Sequence, residues 1–144
     1  MKKMIGYSLV FSQFLLIFIM TLPFGTPVNN LFIALFVIAI GLVIGVLALY
    51  SNRYFNIRPD IKGDAPLVHT GVYAYIRHPM YAAVLTVMFG VTLLYPTTFI
   101  FVSYALLVCT LLIKMFYEES LWKVHHDEYT TYMKSSKRLI PFIF

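Results

Sequence analysis

The stretch Met4-IGYSLVFSQFLLIFIMTLPFGTPVNNLFIALFVIAIGLVIGVLALYS-Asn52 contains no Lys, Arg, Asp or Glu. A second charge-free block runs from His78 to Ile113, and the charged residues fall in three patches: Lys2 and Lys3, Arg53 to Arg77, and Lys114 to Arg138. Charge is costly in hydrocarbon, and a spanning helix needs about 20 mostly apolar residues. Each block therefore has room for two spans joined by a hairpin, and two hairpins return the chain to the same side. The expected fold is all-α. It is a single polytopic membrane domain over residues 1–144, with four transmembrane helices as two hairpins at about 5–22, 31–51, 79–94 and 97–117. A cytosolic or interfacial C-terminal helix follows. All the charge and all four His then share one membrane face.

Composition agrees. Apolar residues make up 60% of the chain and charged residues 12%, against about 45–50% and about 25% in soluble domains. In a soluble protein the net charge of +5 would suggest nucleic acid. Here it follows the positive-inside rule, which puts the Lys/Arg-bearing loops and both termini in the cytoplasm; no nucleic-acid partner is expected. The outer connections, near Phe24–Asn30 and Tyr95–Thr98, carry no charge. Lys2 and Lys3 before an apolar run resemble a signal peptide, but no small-residue cleavage site follows, so a retained first span is expected. Cys109 lies mid-span, where a small buried hydrophobe is the expected role.

Pro23, Gly25 and Pro27 break the first helix, and Asn29–Asn30 open the second. Ala34, Gly41, Gly45 and Ala48 fall on one face of that second helix, and Gly41–Gly45 is a G-x-x-x-G pair that lets another backbone approach. The alternative is that glycine is merely common in spans. The loop Asn52–Arg77, with Pro59, Gly63 and Pro66, is too polar to span. Pro79 suits the first turn of helix three. Tyr95–Pro96 makes the outer turn. Glu118–Ser135 mixes polar and aromatic residues, as an interfacial helix does.

No glycine-rich nucleotide loop, H-E-x-x-H, Cys cluster or Ser elbow is present. What remains is polar groups at span ends. Arg77 and His78 lie beside the N-terminus of helix three, where unpaired N–H groups and the helix dipole favour an anion, and Tyr81 is one turn in. Glu118 and Glu119, at the cytoplasmic end of helix four, suit a cationic or amine-bearing ligand. Arg138 and Pro141 form a third set. Each also has a plainer reading: Arg77 and His78 as membrane-edge snorkelers, Glu118 and Glu119 as helical partners of Lys114 or Lys123, the aromatics as an interfacial belt. His125 and His126 point about 100° apart on a helix and cannot chelate one ion together; no metal is expected.

Taken together, Gly71-x-Tyr73-x-x-x-Arg77-His78-Pro79-x-Tyr81, Glu118, Glu128-Tyr129-x-x-Tyr132 and Arg138-x-x-Pro141 resemble the isoprenylcysteine carboxyl methyltransferase family, part of a wider group that includes the phospholipid N-methyltransferases. The resemblance covers about Leu67 to Phe144. It implies an S-adenosylmethionine-dependent membrane methyltransferase acting on a lipophilic or lipidated substrate, with O-methyl or carboxyl methyl transfer as the expected reaction. It implies cofactor contacts from Tyr73, Arg77, His78, Pro79, Tyr81, Glu118 and Glu119, and catalytic roles for His78, Glu118 and Arg138, with Arg138 closing the site. Which of Glu118 and Glu119 is the family's glutamate is left open by the register. Two departures stand out: Tyr117–Glu118 where members usually carry Glu-Glu, and His125–His126 where Phe-Gly is common. The second implies a helix running on where others turn.

Two other classes compete: an NADPH-dependent sterol- or isoprenoid-type membrane reductase, whose C-terminal ends look similar, and a non-enzymatic membrane subunit. Neither the methyl acceptor nor O- versus N-methylation is legible from these residues. The short chain with minimal loops resembles a prokaryotic plasma-membrane member.

Overall fold

Long apolar sequence becomes helix, because in hydrocarbon a segment has to pair its backbone N–H and C=O groups internally. The computed structural model describes residues 2–23, 25–26, 31–52 and 67–144. The helices are α1 (Lys2–Thr21), α2 (Leu31–Ser51), α3 (Pro79–Leu94), α4 (Thr98–His125) and α5 (Tyr129–Ser135), with a 3₁₀ turn at Gly71–Ala74. The described residues contain no strand, only an isolated parallel bridge between Ile76 and Lys137. Asn29–Asn30, and the polar stretch 53–66 with Pro59, Gly63 and Pro66, lie outside the described residues.

Three helices, α1, α2 and α4, are long and apolar enough to cross a membrane; α3 is apolar but only 16 residues long. Their outward faces carry Phe11, Phe32, Phe36 and Val46, all exposed. So much contiguous apolar surface suits lipid rather than water.

Close packing of α2 on α3 explains the small residues of α2. Ala34, Gly41 and Ala48 are buried. A Cβ at Gly41 would come within 2.7 Å of the Val87 backbone nitrogen, and one at Gly90 within 2.9 Å of the Ala34 carbonyl oxygen. Gly45 is looser, with Ala83 Cβ at 3.5 Å. The close approach is thus made by Gly41 with Gly90 rather than by the Gly41–Gly45 pair. On the other side α1 packs against α4 and α3. Met20, Tyr81, Met88, Ile100, Leu107, Leu111 and Met115 form the core between them.

Two expectations are corrected. Cys109 is exposed on α4, not buried. Ser103, Leu107, Leu111 and Lys114 form the packed face of α4, and at about 100° per residue position 109 points away from it. Nor does the helix run through His125–His126. It ends at His125, and His126 is extended (φ −137°, ψ 109°). The Trp122 ring lies 4.8 Å from His126 and 6.1 Å from Tyr129, centroid to centroid. This aromatic cluster holds the turn that starts α5. The chain turns again after Ser135, where Ser136 is extended and buried.

Candidate active site

The site is shaped first by a glycine. Gly71 has φ +61°, and a Cβ there would collide with Ser51 Oγ, so only glycine lets the re-entering chain lie against the end of α2. The Val72 amide donates to Ser51 Oγ at 3.4 Å. The 3₁₀ turn then buries Tyr73, whose hydroxyl accepts from Asn52 Nδ2 at 3.3 Å and whose carbonyl accepts from the Tyr132 hydroxyl at 2.5 Å. Pro79, in the first turn of α3, starts that helix without wasting an amide.

The C-terminal segment zips onto this string. Lys137 N donates to Tyr75 O (2.9 Å), Arg77 N to Lys137 O (2.7 Å) and His78 N to Arg138 O (3.0 Å). Arg77 fastens the join. Its Nε donates to Glu119 Oε1 at 3.0 Å, and its Nη1 donates to Met133 O at 3.2 Å, to Ser136 Oγ at 3.3 Å and to Ser136 O. A planar guanidinium has the fixed fork of donors that such a staple needs.

The remaining charges converge on the two glutamates. Arg138 Nε donates to Glu119 Oε2 at 3.2 Å, and its guanidinium lies over the Phe116 and Phe144 rings, 5.2 and 5.3 Å from their centroids. The Tyr81 hydroxyl donates to Glu118 Oε1 at 2.6 Å, and its ring stacks on His78 with centroids 5.4 Å apart. His78 Nδ1 is 3.6 Å from Glu118 Oε2, and Nε2 is 3.6 Å from Glu119 Oε1. Those separations are ion-pair range but too long for hydrogen bonds, and the buried Nε2 has no hydrogen-bond partner. Burial alone would push the His78 imidazole down, but the Glu118 and Glu119 carboxylates override it and hold it above its ordinary value. Burial raises the Tyr73, Tyr129 and Tyr132 phenols, so they are neutral hydrogen-bonding groups at physiological pH.

The fold thus brings Tyr73, Arg77, His78, Pro79, Tyr81, Glu118, Glu119 and Arg138 into one cluster built from three segments. Arg77 and His78 are each 8% exposed, which is not how membrane-edge snorkelers sit. Tyr75 is exposed and stands outside. Three members were not singled out as site residues from the sequence: Ser136, which receives Arg77, and Lys114 with Gln13, a buried pair linking α4 to α1. Their signals were a lone cation before the end of a span and a lone amide within α1. A separate groove of about 820 Å³ opens beside the 3₁₀ turn, lined chiefly by Leu47, Tyr50, Val68, Val72 and Tyr75.

A family model described as phospholipid methyltransferase matches residues 29–127. It takes in Arg77, His78, Tyr81, Glu118 and Glu119, and it excludes α1, α5 and Arg138. No curated protein and no solved structure matches the chain.

Proposed function

This chain belongs to the phospholipid methyltransferase family, within the isoprenylcysteine carboxyl methyltransferase-like group, and from that premise we propose that it moves a methyl group from S-adenosylmethionine to a lipophilic acceptor drawn from the bilayer. It is an integral membrane protein. The observation that carries the reading is the cluster, buried at Arg77, His78 and Glu119 and half-buried at Glu118 and Arg138, in which these five side chains converge where α3 begins and the apolar part of α4 ends.

The cluster suits an amino-acid-bearing cofactor. His78 Nε2 is buried without a hydrogen-bond partner, and such an atom asks for one. Arg138 is the group for a carboxylate, and Glu118 and Glu119 are the groups for an amino group. When bound, S-adenosylmethionine supplies a methyl group on a sulfonium. The chain's own contribution is alignment and exclusion of water, and such positioning is worth about 7–11 kcal/mol. An acceptor carboxylate needs no base. For an amine or phenol acceptor, Glu118 takes the proton.

The proposed arrangement has four spans with both termini cytoplasmic. Counting about 20 residues from Thr98 ends the α4 span near Tyr117 and puts Glu118 at the boundary. The hydrogen bond from Tyr81 to Glu118 holds the start of α3 at that same level, so α3 runs alongside the crossing part of α4. At about 1.5 Å per residue α3 is short for a 30 Å core, and a thinned bilayer accommodates it.

Purified protein in nanodiscs, given S-adenosylmethionine labelled in the methyl group and a lipid extract, should yield a labelled lipid. Mass spectrometry of that product assigns the acceptor atom. Oxidation of NADPH without label transfer would favour the reductase reading and sink this one.

A further inference from the structure

An ammonium group lies inside the apolar part of the bundle. Lys114 stands one helical turn before Glu118 on α4, and the residue is 1% exposed. Its Nζ donates to Gln13 Oε1 at 2.9 Å, and Gln13 is itself buried on α1. The same Nζ lies 5.2 Å from the centroid of the Tyr81 ring. Tyr81 in turn donates to Glu118 and stacks on His78. A continuous line of contacts therefore runs from α1, through Gln13, Lys114 and Tyr81, to Glu118 and His78.

A charge within a span is costly, faces the bundle interior and marks functional sites rather than filler. An apolar side chain at 114 would fill the same space without that cost. The ammonium lies within range of a cation–π contact with Tyr81. Tyr81 already meets His78 and Glu118, so its ring is fixed by three charged or chargeable groups. We propose that Gln13 and Lys114 are positioning residues of the cofactor site: the α1 amide holds the Lys114 ammonium at Tyr81, and this sets how Tyr81 meets Glu118 and His78. The inference rests on the proposed transferase reading. It gives α1, which lies outside the matched residues 29–127, a direct part in the site.

The test uses full-length protein in nanodiscs and reads S-adenosylhomocysteine affinity by calorimetry beside thermal stability. Gln13→Leu and Lys114→Met should each weaken binding by about tenfold, since small misplacements of a bound group are costly. Lys114→Arg, which keeps the charge, should recover most of it. Gln13→Leu in a Tyr81→Phe background should add less than about twofold, because it acts through Tyr81. Leu107→Ala, a core change off this line, should lower thermal stability and leave affinity within about twofold. Unchanged affinity in both Gln13→Leu and Lys114→Met overturns the proposal. So does an equal loss in Leu107→Ala, or a full tenfold effect of Gln13→Leu on top of Tyr81→Phe. A wild-type protein that does not bind S-adenosylhomocysteine overturns the transferase reading and this inference with it.

Discussion

His78 is where burial and charge compete most directly. Its ring is enclosed, which disfavours the imidazolium, yet two carboxylates lie 3.6 Å away and win. A group whose folded-state value is raised above its unfolded value of about 6.5 adds stability below that value and loses it as pH rises through the folded one. The observable is the difference in melting temperature between wild type and His78→Gln in the ligand-free protein. It should be largest near about pH 6 and shrink towards about pH 9. A difference that is flat or grows with pH would mean His78 is held neutral, and the carboxylates are balanced by Arg77 and Arg138 alone. Arg77 differs in kind. Its Nε and Nη1 donors go to Glu119, Met133 and Ser136, so its first task is to hold the C-terminal segment in place.

Among the elements, the α2–α3 contact makes the sharpest demand on the sequence. Backbone and side-chain atoms of α3 occupy the space where a Gly41 Cβ would go, and α2 does the same at Gly90, while Gly45 has ordinary room. Gly41→Ala and Gly90→Ala should each destabilise the protein by about 1–3 kcal/mol, the usual cost of overpacking. Gly45→Ala should be close to neutral, or stabilising through its better helix propensity. Denaturation of the purified variants in detergent ranks them, and equal effects at all three positions would mean the helices shift apart freely. The same contact shows what was legible beforehand. The helices themselves could be read from the charge-free blocks, since only helix satisfies the backbone in lipid. The small face of α2 could be read from the spacing of Ala34, Gly41, Gly45 and Ala48. Its partner glycine could not, because Gly90 carries no pattern of its own and its use depends on how two helices are registered. The turn after His125 was missed for a related reason: the cluster of Trp122, His126 and Tyr129 that fixes it forms only after the chain has turned.

At the scale of the whole molecule, the site is a meeting of distant chain segments at one level of the bundle. The string around His78 was legible because its residues are close in sequence. The turn back at Ser135–Ser136 that brings Arg138 to the glutamates was legible too, since a continuous helix would hold them about 30 Å apart; that Glu119 is the one meeting both Arg77 and Arg138 was not. Lys114 and Gln13 are 101 positions apart, a pairing no local pattern announces. The proposed topology sets the site on the cytoplasmic side. In a Cys109→Ala background, a cysteine placed at Gly63 should react with a membrane-impermeant maleimide only after the cell is opened, and one at Thr26 in intact cells. The reverse pattern would turn the site outwards, away from the cofactor supply.

The C-terminal segment carries the last and most discriminating test. Lys137 and Arg138 supply the carbonyls that receive the Arg77 and His78 amides, and Arg138 bonds Glu119. Leu139–Phe144 folds back on itself, with the Leu139 and Ile140 amides both donating to Phe144 O at 2.7 and 2.8 Å, and it puts the Phe144 ring beside Arg138. Phe142 and Ile143 point outwards, 83% and 76% exposed. Two functions are therefore separable along eight residues. Deleting 139–144 removes the Phe144 ring and the outward apolar pair but leaves Phe116 and the paired backbone at Lys137 and Arg138. Deleting 137–144 also removes the three backbone hydrogen bonds to Tyr75, Arg77 and His78 and an ion pair to a buried carboxylate; hydrogen bonds to charged groups are worth about 1.5–3 kcal/mol each. The longer deletion should abolish S-adenosylhomocysteine binding, the shorter should weaken it in part, and Arg138→Gln should fall between them with the backbone pairing intact. Normal affinity in the longer deletion would reduce the segment to a lipid contact. Equal losses in both deletions would locate the effect in the apolar tail instead of in Arg138.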